Sequence, residues 1–137
     1  MIKLLSPTIP EDFTKHLKNS IADSVFSNWG PAVRKLEQTS MEFFEFPYEP
    51  LILCNATLAL ECALRSMLKK GSLVLVPDFT FPATMHSIIN ADCYPVVADV
   101  DNEGFLSTDF PNVDAIVLVT SLGKIPDVKK YEEIAKQ

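Results

Sequence analysis

The sequence predicts an α/β fold: a mainly parallel sheet with helices on both of its faces. Three observations predict it. Four short apolar runs, LILC (51–54), LVLV (73–76), PVVADV (95–100) and AIVLV (115–119), are continuous rather than alternating and rich in β-branched residues. Such runs suit strands covered on both sides, and parallel strands need crossovers long enough for a helix. Helical patterns lie between the first three runs, at 58–69 and 83–90. The chain of 137 residues is 47% apolar and 22% charged, the balance of a single globular domain with a real core.

Taken in order, Thr8-Ile9-Pro10-Glu11 reads as a capping box, with Thr8 as N-cap and Glu11 at the third helical position. Phe13, Leu17 and Ile21 then share one helical face. Asn28-Trp29-Gly30-Pro31 interrupts, and Pro31 can open a second helix. The apolar stripe of that helix is Val33, Leu36, Ser40 and Phe43 or Phe44, and Pro47 and Pro50 end it. Residues 1–50 form a helical N-terminal segment and 51–137 the α/β portion of the same domain. Gly71 suits the C-terminal cap of the helix that follows the first strand. A last helix begins at Pro126 or Asp127 and aligns Val128, Tyr131 and Ile134. That helix should lead to a further strand, so the sheet reads as unfinished.

Charge and motifs exclude several functions. The net charge is −6, and no Lys or Arg run exceeds two residues, which speaks against nucleic acid and anionic membranes. No segment approaches the roughly 18 apolar residues of a membrane span, and the start MIKLLSPTIP lacks a signal-peptide core. Cys54, Cys62 and Cys93 lie in or beside apolar segments without C-x-x-C spacing. They are expected to be small buried hydrophobes of a cytoplasmic protein. The stretch Asp99 to Gly104 starts like a calcium loop, but Phe110 stands at the closing position that takes a bidentate Glu. His16 and His86 stand alone, so no metal site is expected. Glycine totals four, and neither G-x-S-x-G nor G-x-G-x-x-G occurs, which excludes glycine-rich phosphate loops.

Asn55-Ala56-Thr57 stands where the first apolar run ends and a helix begins. In open α/β sheets, ligands bind outside the carboxyl ends of the strands. A helix start there offers free N–H donors and the positive end of a dipole, a seat for phosphate without a glycine-rich loop. Ala56 is small enough to let an anion approach, and Thr57 adds a hydroxyl. The other reading is a plain N-cap by Asn55 or Thr57, with no ligand. At the next strand end, Phe79 and Phe81 are either core residues or a face on which a flat ring could stack.

Longer stretches resemble the DegT/StrS-type, pyridoxal-phosphate-dependent aminotransferases of nucleotide sugars. Gly30-Pro31-Ala32-Val33 with Leu36-Glu37 is similar to the family's G-x-x-V-x-x-F-E, and Asn55-Ala56-Thr57-Leu58-Ala59-Leu60 stands in place of S-G-T-x-A-L. Phe79-Thr80-Phe81 with Ala83-Thr84 matches T-F-x-A-T, and Pro95 to Asp101 matches P-V-F-V-D-V-D. The resemblance implies the N-terminal portion of the aspartate-aminotransferase-like large domain, with pyridoxal phosphate as cofactor. Asn55, Ala56 and Thr57 would hold its phosphate, and Phe81 would stack on its ring. It also implies a homodimer, a nucleotide-sugar substrate and an amino donor such as glutamate.

The departures bear on catalysis. Thr120 replaces the histidine of the family's V-H-x-x-G, and no segment matches E-D-A-A or the Schiff-base lysine that follows it. Lys124, Lys129 and Lys130 do not align with that lysine, so no catalytic residue is assigned. The chain is expected not to transfer amino groups alone; it reads as a trimmed piece, a truncated gene product, or one chain of a split enzyme in which a second chain supplies the missing half. The rival expectation is a non-catalytic remnant kept as a binding or assembly module.

Overall fold

The computed structural model describes residues 6–135 except 26 and 28. Asn28 of the interrupting motif and the first five residues therefore lie outside the described residues. The chain separates into two compact units, Met1–Ile52 and Leu53–Gln137.

The first unit holds α1 (Phe13–Ala22) and α2 (Pro31–Phe43). The expected capping box does not form. Asp12 is the N-cap of α1, and its carbonyl accepts from Lys15 and His16. Pro10 explains the delay, because a residue before proline is pushed out of the α region and Ile9 cannot be helical. Phe13, Leu17 and Ile21 share a face as expected, yet all three are exposed. Helix α2 does start at Pro31, with Gly30 as N-cap. Its covered face runs through Val33, Glu37, Ser40 and Met41, while Leu36, Phe43 and Phe44 of the expected stripe are exposed. Glu37 is buried, and its Oε1 accepts from the Ile52 amide at 3.0 Å.

That hydrogen bond bears on the first apolar run. Residues 51–54 are not a strand, because Ile52 N–H goes to a carboxylate and not to a neighbouring strand. An apolar run announces burial on both faces, but a strand also needs a ladder partner, and among the described residues this run has none.

The second unit carries α3 (Ala56–Met67), β1 (Leu73–Pro77), α4 (Pro82–Asn90), β2 (Tyr94–Ala98), β3 (Ala115–Ile116) and α5 (Val128–Ile134). The strands form one sheet in the order β2-β1-β3, parallel throughout. Leu75 pairs with Val96 on one side and with Ile116 on the other. Alternate β1 residues point to opposite faces. Val74 and Val76 pack with Leu64 of α3 and Ile88 of α4, and Leu75 packs with Leu106 and Tyr131 of α5. Helices therefore cover both faces, and Val74, Leu75, Val76 and Ile88 are fully buried. Each such aliphatic side chain contributes about 1.5–3 kcal/mol through burial. The last run pairs only at Ala115 and Ile116, shorter than the expected 115–119.

Both ends of α4 are determined locally. Pro82 occupies the first helical position. At the other end Cys93 N–H donates to Ile88 O and Asp92 N–H to Ile89 O. This is a Schellman pair with Asp92, at φ +60°, in the left-handed position. The Asp92 carboxylate accepts from Arg65 Nη1 at 3.1 Å and Lys70 Nζ at 3.0 Å, while Arg65 Nη2 donates to the Asn90 carbonyl. Lys70, then Arg65, hold the Asp92 carboxyl below the usual range. Gly71 does not cap α3, which ends in extended backbone at Leu68. It turns the chain into β1 at φ +84°, and its amide donates to Asp92 O at 2.7 Å.

The loop after β2 is built on Asp101. Its Oδ1 accepts from the amides of Glu103 (2.9 Å) and Phe105 (3.0 Å), and the Phe105 bond foremost pulls its pKa down. Tyr131 Oη donates to the Leu106 carbonyl and closes the loop onto α5. Of the cysteines only Cys93 is buried; Cys54 and Cys62 are exposed, since Cys54 precedes α3 outside any strand and Cys62 lies on its outward face.

Candidate functional site

The candidate site is made of the N-terminal turns of α3 and α4, at the end of the unit where β1 delivers the chain to α4. At α3 the N-cap expected of Asn55 or Thr57 is made by Asn55. Its Oδ1 accepts from Leu58 N–H at 2.9 Å, and its carbonyl accepts from Ala59 N–H at 3.1 Å. Thr57 has no part in that cap. A helix leaves its first amides without carbonyl partners, and with Leu58 satisfied by Asn55 the remaining ones are those of Ala56 and Thr57. Ala56 is exposed and Thr57 half-buried. Neither α3 nor α4 has an acidic residue in its first turn, and the field there suits an anion.

At α4, Phe81 is the N-cap and carries no side-chain cap bond. Phe79 and Phe81 are 52% and 77% exposed, which overturns a core role for either. The loop that presents them is braced. Asp78 N–H donates to Ala98 O, Ser121 Oγ to Phe79 O at 3.3 Å, and the Thr80 and Thr84 hydroxyls bond at 2.9 Å. Ser121 opens the 3-10 turn Ser121–Gly123, next to exposed Thr120. Lys124 is turned elsewhere, with its Nζ donating to Glu103 O at 3.0 Å.

Helices α3 and α4 pack on the same face of the sheet, and a hydrogen bond joins the start of α3 to α4. Ser87, in the second turn of α4, donates to Thr57 O at 3.0 Å and to Ala83 O at 2.8 Å. This bond sets Thr57 beside the second turn of α4, while Phe81 precedes the first turn of the same helix. Ser87 escaped the sequence reading. Its signal is the spacing Ala83, Ser87, Ala91, small residues that let α4 approach α3 closely.

A parallel sheet covered on both faces by helices defines an α/β domain of the open-sheet class. The comparisons make the class specific: the model of the DegT/DnrJ/EryC1/StrS aminotransferase family matches residues 7–137, and the chain belongs to that family. It is 28% identical over 144 residues to an Escherichia coli dTDP-4-amino-4,6-dideoxy-D-glucose transaminase, covering 98% of this chain and 38% of that protein. The aminotransferase from Psychrobacter cryohalolentis superposes with a TM-score of 0.85 at 24% identity, over 95% of this chain and 35% of its own. The E. coli GDP-4-keto-6-deoxy-D-mannose-3-dehydratase with bound hydrated PLP gives 0.84 at 18% identity, over 97% and 37% of the two chains. The chain therefore spans under two-fifths of the length of these relatives.

Proposed function

We propose that residues 1–137 are the N-terminal part of a pyridoxal-phosphate-dependent aminotransferase acting on a keto sugar linked to a nucleotide. Glutamate is the amino donor that the family resemblance implies. The observation that supports this reading best is the pair of amides at Ala56 and Thr57, left free at the start of a helix of 12 residues. Hydrogen bonds to a charged group are worth about 1.5–3 kcal/mol each, so two or three anchor a phosphate. In this reading Ala56 and Thr57 hold the phosphate of the cofactor, Asn55 keeps the turn in shape, and exposed Phe81 lies against the pyridine ring. The bound cofactor supplies an electron sink for the carbon that gives up its amine. Named activities of the relatives, a dTDP-sugar transaminase among them, support a nucleotide-linked sugar as substrate.

Amino transfer also needs an amine to move the proton and a carboxylate to keep the ring nitrogen protonated. Lys124, bonded to a loop carbonyl, does not take the first part, and no described residue is assigned the second. Residues 1–137 therefore do not catalyse alone in this reading; they act with further polypeptide in a cytoplasmic, dimeric enzyme. No helix among the described residues is long and apolar enough to cross a membrane. The test titrates pyridoxal phosphate into the chain, alone and with a polypeptide carrying the E-D-A-A and lysine segments of a relative, and follows visible absorbance. A shifted band that needs the second polypeptide supports the proposal. No band under either condition would favour a non-catalytic binding or assembly module.

A further inference from the structure

Ser87 is fully buried, and its hydroxyl bridges two helices. The bond to Ala83 O is the ordinary back-bond of a helical serine to the carbonyl four residues earlier. The bond to Thr57 O is different in kind, since it joins residues 30 apart in the chain. One hydroxyl proton is shared between the two carbonyls. We propose that Ser87 is a positioning residue: by tying the first turn of α3, with the Ala56 and Thr57 amides, to the second turn of α4, it sets the offset between those amides and Phe81 at the start of α4. The inference rests on the cofactor reading above and adds to it the group that sets the offset between its two halves.

The physical consequence is selective. A ligand with a phosphate at one end and a flat ring at the other must engage both helix starts at once, so its affinity depends on their offset. Inorganic phosphate engages α3 alone. Replacing Ser87 with Ala strands no buried carbonyl, because Thr57 O and Ala83 O each still accept the amide four residues onward in their own helices. The variant therefore keeps its fold while losing the tie.

The experiment uses the full chain and two probes: pyridoxine 5′-phosphate, which has the ring and phosphate but no aldehyde to react with surface lysines, and inorganic phosphate. Both are titrated by calorimetry into wild type and Ser87→Ala, with thermal melts alongside. The Kd for pyridoxine 5′-phosphate should rise about fivefold, the weight of one net hydrogen bond, with that for inorganic phosphate unchanged. Parallel weakening of both probes, no weakening of either, or loss of cooperative melting would each assign Ser87 to packing and overturn the proposal. Both titrations are repeated with the polypeptide carrying the E-D-A-A and lysine segments; if wild type binds neither probe with or without it, the cofactor reading itself fails, and the role of Ser87 fails with it.

Discussion

Replacing Thr57 with Val separates a ligand-binding role from a capping role at the start of α3. The cap is already supplied by Asn55, whose Oδ1 lies 2.9 Å from Leu58 N, so the Thr57 hydroxyl is spare as far as the helix is concerned. Valine keeps the β-branched shape of a half-buried side chain and has nearly the same helix propensity. The expected change in stability is therefore about 0.5 kcal/mol or less. A lost hydrogen bond to a phosphate oxygen is worth about 1.5–3 kcal/mol, or roughly tenfold to a hundredfold in Kd. Asn55→Ala should behave in the opposite sense on stability, losing about 0.5–2 kcal/mol with the cap and melting several degrees lower. Calorimetry with pyridoxine 5′-phosphate and thermal melts of both variants decide the matter. Undiminished affinity in Thr57→Val, beside a lowered melting temperature in Asn55→Ala, would refute the reasoning and leave Thr57 an ordinary helical residue.

Two further outcomes concern the frame around the site. Asp92 sits at φ +60°, where glycine is unstrained and alanine is not; Asp92→Gly should melt above Asp92→Ala although both lose the contacts to Arg65 and Lys70. Equal melting temperatures would show that the left-handed position carries no strain. Asp101 has a depressed carboxyl, so the unfolded chain takes up its proton first as pH falls. Its stabilisation is present above the ordinary carboxylate range near pH 4 and is lost as pH drops further, through its folded pKa. Urea midpoints measured from pH 5 down to pH 2.5 should fall less steeply in Asp101→Asn than in wild type; identical slopes would refute the assignment.

Sequence by itself determined the elements whose stability is local. Pro31 and Pro82 open α2 and α4, and the uninterrupted run LVLV marks a strand buried on both faces. The small residues Asn55, Ala56 and Thr57 mark a helix start able to cap itself and still offer amides. Such features were legible because they depend on a residue and its near neighbours. What depends on distant partners was not. LILC has the composition of a strand but no ladder, because pairing is decided by what lies alongside. Phe81 could have been core or surface from its chemistry alone, and only the packing of α4 leaves it exposed. The tie from Ser87 to Thr57 spans 30 residues of chain; the spacing Ala83, Ser87, Ala91 marks a face open to close approach but does not name the partner. Tertiary structure alone decided that the start of α3 is tied to the second turn of α4, because that placement is a balance of many contacts between segments far apart in sequence.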